Sequence, residues 1–326
     1  MIDGKVLKVE SERLLISKGY QLSEGENGYY VRDGKYGLLS CNNFFRRLVR
    51  AEITGLYKIG IGEILVVAKK GLFLKNARST YEKVFAIPRG SKPLNICTAP
   101  SGNLYFGEYF QNMNKQAVHI YFSEDNAKSW RIAYTFEEGN INHIHGLFLD
   151  PYTSRIWVAT GDRENECIIG CTGDEFKTFT EVFRGGQEYR TCQLFFYKDF
   201  IVFGTDTQYE QNVIKKFDRQ TLEITELQKV QGSVIKGGQV GDVAFISTTV
   251  EPSNVNTDKW AHLWVTKDGL HWEERYKAKK DWLPATLFQF GTFEFPQYYG
   301  IDKPERLYFS GRALKGLDGK TTYIDL

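Results

Sequence analysis

The chain has 326 residues, of which 25% are charged and 42% apolar, enough for one large domain or two small ones. A net charge of +2 excludes a global drive towards nucleic acid or an acidic membrane. No uninterrupted apolar run approaches the ~18 residues of a spanning helix, so a soluble protein is expected.

Aromatic residues reach 15%, with 31 Gly and only 8 Pro, which favours many short strands joined by tight turns. From Met1 to Tyr20 charges recur every few residues without an apolar h-region, so no secretion signal is read and a cytoplasmic location is expected. The five cysteines (41, 97, 167, 171, 192) lack framework spacing, and "CIIGC" has no second ligand pair for a structural zinc. They read as reduced, mostly buried thiols.

In chain order, the first expected strand is "KVLKVE" (5–10), followed by "GYYVRDGKYGLLS" (28–40), a weaker seventh copy of the second-strand segments that come after it. Apolar strands then recur, each after a turn: "EILVVAKK" (63–70), "NLYFGEYF" (103–110), "RIWVATGD" (155–162), "FIVFGTDT" (200–207), "VAFISTTV" (243–250) and "RLYFSGRA" (306–313). Between them lies a second repeat. "YFSEDNAKSW" carries Ser123, Asp125 and Trp130. "GCTGDEFKTF" carries Thr172, Asp174, Thr178 and Phe179, and "WVTKDGLHW" carries Thr266, Asp268 and Trp272. A degenerate copy places Asn76 and Tyr81 in the same roles.

The spacing is 49 residues from Asn76 to Asp125, 49 from Asp125 to Asp174, and 94 from Asp174 to Asp268. The last interval holds two units, with a hairpin at Asp218 near its middle. Such a period with strand–turn chemistry predicts propeller blades. The expected fold is all-β, a single domain over 1–326: a seven-bladed β-propeller, with six blades as the alternative. The N-terminal strand would pair with the last blade and close the ring, leaving no open edge.

The three complete turns resemble the Asp-box, or BNR, repeats of the sialidase-like β-propellers. The resemblance implies that each box joins the third and fourth strands of a blade, with the aromatic ring packed between blades. It also implies that the boxes lie on the face opposite the usual ligand site. Their roles are structural.

In a blade of strands A to D, the D–A and B–C loops emerge on one face. The longer, more polar loops of this chain all fall there. They bring Glu108, Tyr109, His143, His145, Asp162, Arg163, Gln187, Tyr189, Arg190 and Asp206 from consecutive blades towards one channel mouth. His143 and His145 begin an inner strand, where the two-residue period puts both imidazoles on one side. They are either a packed, hydrogen-bonded pair or part of a site.

Several chemistries compete. The expected partner is an acidic oligosaccharide or polysaccharide, with Arg190 holding a carboxylate through its guanidinium fork. Tyr189 or a histidine would move the proton. In this reading His143, His145, Tyr189 and Arg190 are the catalytic candidates, and Glu108, Tyr109, Asp162, Arg163, Gln187 and Asp206 bind substrate. The face is loosely similar to that of propeller-shaped uronate lyases in offering His, Tyr and Arg together. Sialidase chemistry would require an Arg-Ile-Pro motif. Here "FAIPRG" places Arg89 after Ile87-Pro88, so the match to that activity fails.

No cofactor is required by these schemes. A divalent metal at His143 and His145 is the alternative, since imidazole with carboxylate suits zinc, manganese or iron. The run from His143 to Asp162 with "GGQEYR" is also similar to BNR-type propellers of bacterial surface-polysaccharide loci, which implies a part in assembling or trimming a glycan. A non-catalytic glycan-binding or protein-interaction scaffold is the remaining alternative, because a propeller does not fix a function.

Overall fold

The computed structural model describes residues 14–16, 20–25, 28–33, 47–48, 54–59, 63–68, 70–75, 80–285, 287–298, 303–318 and 321–326. The first hairpin region has β1 (Leu14–Ile16), β2 (Tyr20–Gly25) and β3 (Gly28–Asp33). Blade one follows with β4 (Gly55–Lys58), β5 (Ile64–Ala68), β6 (Gly71–Lys75) and β7 (Thr80–Ala86). Blade two is β8 (Cys97–Thr98), β9 (Leu104–Gly107), β10 (Val118–Ser123) and β11 (Arg131–Phe136). Blade three is β12 (His143–Leu149), β13 (Ile156–Gly161), β14 (Cys167–Thr172) and β15 (Thr180–Gly185). Blade four is β16 (Thr191–Phe196), β17 (Phe200–Thr205), β18 (Val213–Asp218) and β19 (Ile224–Lys229). Blade five is β20 (Val234–Val240), β21 (Val243–Thr248), β22 (Trp260–Thr266) and β23 (Glu273–Lys279). Blade six has β24 (Thr292–Glu294), β25 (Arg306–Arg312) and β26 (Thr321–Asp325).

These strands form six sheets, and within each the blade strands make an antiparallel meander in chain order, as a six-bladed β-propeller requires. The six apolar segments noted above are β5, β9, β13, β17, β21 and β25, the second strand of each blade. The expected seventh unit is where the leading blade count fails. Its described residues make β3, which pairs through β2 with β1, and β1 runs parallel to β7. This hairpin extends blade one outwards and forms no separate blade. Residues 5–10, expected to close the last blade, and the degenerate turn at Asn76 lie outside the described residues.

Burial follows the blade architecture. A blade packs both faces against its neighbours, so its inner strands must be apolar on both sides. β13 and β14 are buried along their whole length, whereas the outer strands β15, β19 and β23 are exposed or half-buried almost throughout and carry the charges. The core is therefore a series of inter-blade layers. One joins Val118, Ile120 and Phe136 of blade two to Ile144, Val158 and Ile168 of blade three. Cys97, Cys167, Cys171 and Cys192 are buried free thiols, as expected, and Cys41 lies outside the described residues.

The three aspartate turns join the third and fourth strands of blades two, three and five. Asp125 Oδ1 accepts the Ser129 N–H (2.9 Å), and Ser123 Oγ accepts that of Ala127 (2.9 Å). Asp174 and Thr172 repeat this with Thr178 and Phe176, and Asp268 and Thr266 with His271 and Gly269. In blade four Asp218 accepts the N–H groups of Gln220 and Thr221 at 2.8 Å each. The aromatic residue of each turn packs on the preceding blade: Trp130 on Phe85, Phe179 on Phe136 and Trp272 on Phe195.

Candidate active site at the channel mouth

The first strands of successive blades all start at the same end of the channel, beside the loops after the second strands. His143 and His145 open β12 there. A bulge interrupts the pairing of β12 with β13 between Ile144 and Gly146, and bulges recur near the start of β16 and β20. A bulge re-aims a side chain, and here it leaves the His145 ring folded against β13. That approach needs a glycine opposite, because a Cβ on Gly161 would lie 2.4 Å from His145 Cε1.

The two imidazoles meet. His143 Nε2 is 3.0 Å from His145 Nε2, and Asp162 Oδ1 lies 3.1 Å from His145 Nε2 and 3.3 Å from His143 Nε2. The other ring nitrogens face backbone carbonyls, His143 Nδ1 at 2.9 Å from Phe110 O and His145 Nδ1 at 3.0 Å from Thr191 O. Both histidines are buried, at 5% and 1% exposure, while the Asp162 side chain keeps 30%. They are thus both packed and at the mouth, so the two readings of the pair are not exclusive.

Arg190, in the loop between blades three and four, reaches Asp162 Oδ1 at 2.9 Å and Asp206 Oδ2 at 3.5 Å. Burial works against its charge, but Asp206 and Asp162 outweigh burial and raise its pKa. Cys192 Sγ donates to Asp206 Oδ2 at 3.4 Å, and burial followed by the Asp206 charge keeps the thiol protonated. Gln187 Nε2 donates to the Asp162 carbonyl at 2.7 Å. Tyr109 covers His143 with ring centroids 4.4 Å apart, and burial raises its phenol pKa. For Asp162, burial opposes ionisation, yet the contacts with His143 and His145 hold the carboxyl well below the usual range.

Three buried polar atoms of this cluster have no hydrogen-bond partner among the described residues: Gln187 Oε1, Arg190 Nε and Asp206 Oδ1. Buried polar groups are seldom left so, and their gathering makes this cluster the candidate site.

The remaining expected residues are placed elsewhere. Glu108 is buried within blade two, where Arg89 Nε donates to it at 3.0 Å and the His119 N–H at 2.9 Å. Tyr189 stacks on Phe183 of β15 at 5.2 Å, away from the histidines. The Arg163 side chain is exposed to solvent beside the cluster.

Sequence reasoning missed Glu251, in the loop after β21. Burial, then the Asp206 charge, pushes its carboxyl up to about 7, and Gln208 Nε2 donates to it at 2.8 Å. Nothing in the local pattern of "TTVEPSN" marks Glu251. Only the convergence of blades four and five brings it to the cluster. Cys192 was likewise read only as a core thiol.

On the other side of the mouth, Glu294 of β24 is surrounded by cations. Lys236 of β20 lies 3.5 Å from it and Arg312 of β25 3.0 Å. Burial opposes its ionisation, but Arg312, Lys236 and Lys92 hold its carboxyl down at about 2.

No protein-family model matches the chain, and no curated protein matches it. Solved structures share its fold. A GH74 enzyme of Niastella koreensis is 14% identical with a TM-score of 0.51, over 68% of this chain and 36% of that one. The tricorn protease is 12% identical with a TM-score of 0.50, over 78% and 27%. A prolyl endopeptidase is 11% identical with a TM-score of 0.50, over 94% and 45%. The chain thus spans about a third of the length of the GH74 enzyme. At such identities the likeness is one of fold alone.

Proposed function

We propose that this propeller cleaves an acidic glycan at the channel mouth. The observation that carries the reading is the convergence of His143, His145, Asp162, Arg190 and Asp206 from two blades, with three buried polar atoms still unpartnered among the described residues. A buried polar cluster of this kind, with titratable groups displaced from their ordinary ranges, supports a catalytic reading.

Roles follow from what each group already touches. Glu251 is the proton-transfer group, because a carboxyl titrating near neutrality can both give and take a proton at working pH. Arg190 is shared between Asp162 and Asp206, so it orients those carboxylates within the cluster. The substrate's acidic group falls to the cationic side of the mouth, at Lys236 and Arg312. Tyr109 at the cluster and the exposed Tyr209 and Trp282 on the same face offer rings on which sugars stack. The GH74 enzyme shows that a related fold can carry glycoside hydrolysis, and it lends no more than that.

A panel of acidic and neutral polysaccharides tests the proposal, read both for new reducing ends and for the ultraviolet absorbance of an unsaturated uronate. Cleavage confined to acidic glycans and lost in Glu251→Gln is the expected result. Cleavage of none of them, with the full-length chain folded, overturns it. A second reading rests on Met113, Tyr209, Trp282 and Leu287, large apolar side chains 64–86% exposed on loops of this face. They favour a glycan- or protein-binding scaffold, which would bind without cleaving.

A further inference from the structure

We propose that His143, His145 and Asp162 form a binding centre for one divalent first-row metal ion of the zinc type. The proposal does not depend on which substrate the mouth takes.

The hydrogens of the two imidazoles can be placed from their partners. A backbone carbonyl can only accept, so the contacts of His143 Nδ1 with Phe110 O and of His145 Nδ1 with Thr191 O place a hydrogen on each Nδ1. Asn142 Nδ2, which carries two hydrogens, lies 3.2 Å from both His143 Nδ1 and Asp162 Oδ2, but the nearer Phe110 carbonyl at 2.9 Å can only accept and so fixes the hydrogen on His143 Nδ1. In the neutral rings the lone pairs therefore sit on the two Nε2 atoms. These face each other at 3.0 Å and share Asp162 Oδ1, a third acceptor, at 3.1 and 3.3 Å. Three electron-rich atoms turned towards one another in a buried place need a cation between them, either a proton carried by an imidazole towards Asp162 or a metal ion.

The donor separations also fit one ion. Metal–ligand bonds of about 2.0–2.2 Å at tetrahedral or octahedral angles separate neighbouring donors by about 2.8–3.6 Å. All three separations fall in that range. Each histidine is also oriented by a carbonyl on its far nitrogen, the arrangement that fixes tautomer and direction in metal-binding histidines. Two imidazoles and one carboxylate suit zinc, manganese or iron(II), and three protein donors leave a coordination position for water or substrate.

The surroundings agree. Arg190 Nη2 pairs with Asp162 Oδ1 at 2.9 Å, and its positive charge is offset by Asp206. Asp206 is 4% exposed, and its Oδ1 has no partner among the described residues. A second donor set of His145, Cys192 and Asp206 lies within the same cluster. It is the weaker candidate, because the Cys192 hydrogen is already committed to Asp206.

The experiment strips the full-length chain with a chelator and titrates it with Zn²⁺ and with Co²⁺, following heat, metal content and the cobalt absorption spectrum. One ion per chain is expected, with His145→Ala and Asp162→Asn each weakening Zn²⁺ binding more than about 100-fold and Asp206→Asn about 10-fold or less. Because a buried substitution can unfold the protein, nitrogen NMR of the wild-type imidazoles supplies an independent reading. Zn²⁺ should shift the Nε2 signals of two histidines and leave both Nδ1 protonated. The proposal is overturned if the wild type binds no stoichiometric ion, if a proton stays on Nε2 at saturating Zn²⁺, or if Asp206→Asn abolishes binding while Asp162→Asn does not.

Discussion

Arg219 grips Asp150 with both arms of its guanidinium, Nη1 to Oδ2 at 2.6 Å and Nη2 to Oδ1 at 3.0 Å. Asp150 is fully buried in the turn between β12 and β13, and Arg219 follows β18, so the pair ties blade three to blade four on the face away from the site. Breaking a buried ion pair from one side leaves its partner uncompensated, at a cost of about 3 kcal/mol or more. Arg219→Ala should therefore lower the melting temperature by several degrees, with glycan and metal binding unchanged. Burial pushes the Asp150 carboxyl up, but Arg219 and Thr153 hold it below its ordinary value of 3.8. Its contribution is thus full above that value and lost as pH falls below it, and Arg219→Ala should flatten the acid limb of the stability curve.

Replacing Asp125 by Ala removes the acceptor for Ser129 N–H, Ser129 Oγ and Ser123 Oγ. The expected loss is about 1–2 kcal/mol in denaturant unfolding. Ligand affinity should not change, because the turn and the histidine cluster sit at opposite ends of the blades. Lost binding with an unaltered melting temperature would mean that the faces are reversed.

Glu251 should make the native state more stable in acid than in mild base. Its carboxyl is raised from 4.5 to about 7, so the folded chain holds the proton more tightly than the unfolded one. The benefit is full below 4.5 and disappears as pH rises towards 7, on the order of 1–3 kcal/mol in all. Asp206 and Asp162 sustain the shift, and Arg190 and Gln208 oppose it. Glu251→Gln should abolish that slope in chemical denaturation, and should lower glycan turnover by about 10²–10⁴-fold if it is the proton-transfer group.

Arg190→Ala strands the half-buried Asp162 and the buried Asp206 as neighbouring carboxylates. A destabilisation of about 3–5 kcal/mol is expected, larger than that of Lys236→Ala on the opposite side of the mouth. Lys236→Ala should instead weaken binding of an acidic oligosaccharide while leaving that of a neutral one alone. Calorimetry with the two ligands, beside melting curves of both variants, decides it.

Much of the scaffold was legible because a propeller repeats its chemistry. The same strand-then-aspartate-turn pattern recurs at Asp125, Asp174 and Asp268, each closing its own turn through neighbours in sequence. The blade count was less so. The segment at 28–33 has the alternation of a blade strand, and no local rule distinguishes a new blade from a hairpin added to the edge of blade one. The site was legible as a face: strand period put His143 and His145 on one side, and blade order put Asp162, Arg190 and Asp206 beside them. Tyr189 and Glu108 read equally well as site residues, but packing on Phe183 and pairing with Arg89 drew them away.

By itself the sequence determined the all-β repeat, the aspartate turns and the loops that share the mouth, because each depends on residues within a few positions of one another. Only the tertiary structure decided that the imidazoles turn their Nε2 atoms together and that Arg190 is held between two carboxylates. It alone placed Glu251 close enough to Asp206 to titrate near neutrality. Those outcomes arise from contacts between different blades and from burial, whose electrostatic consequences depend on distances that no local pattern encodes.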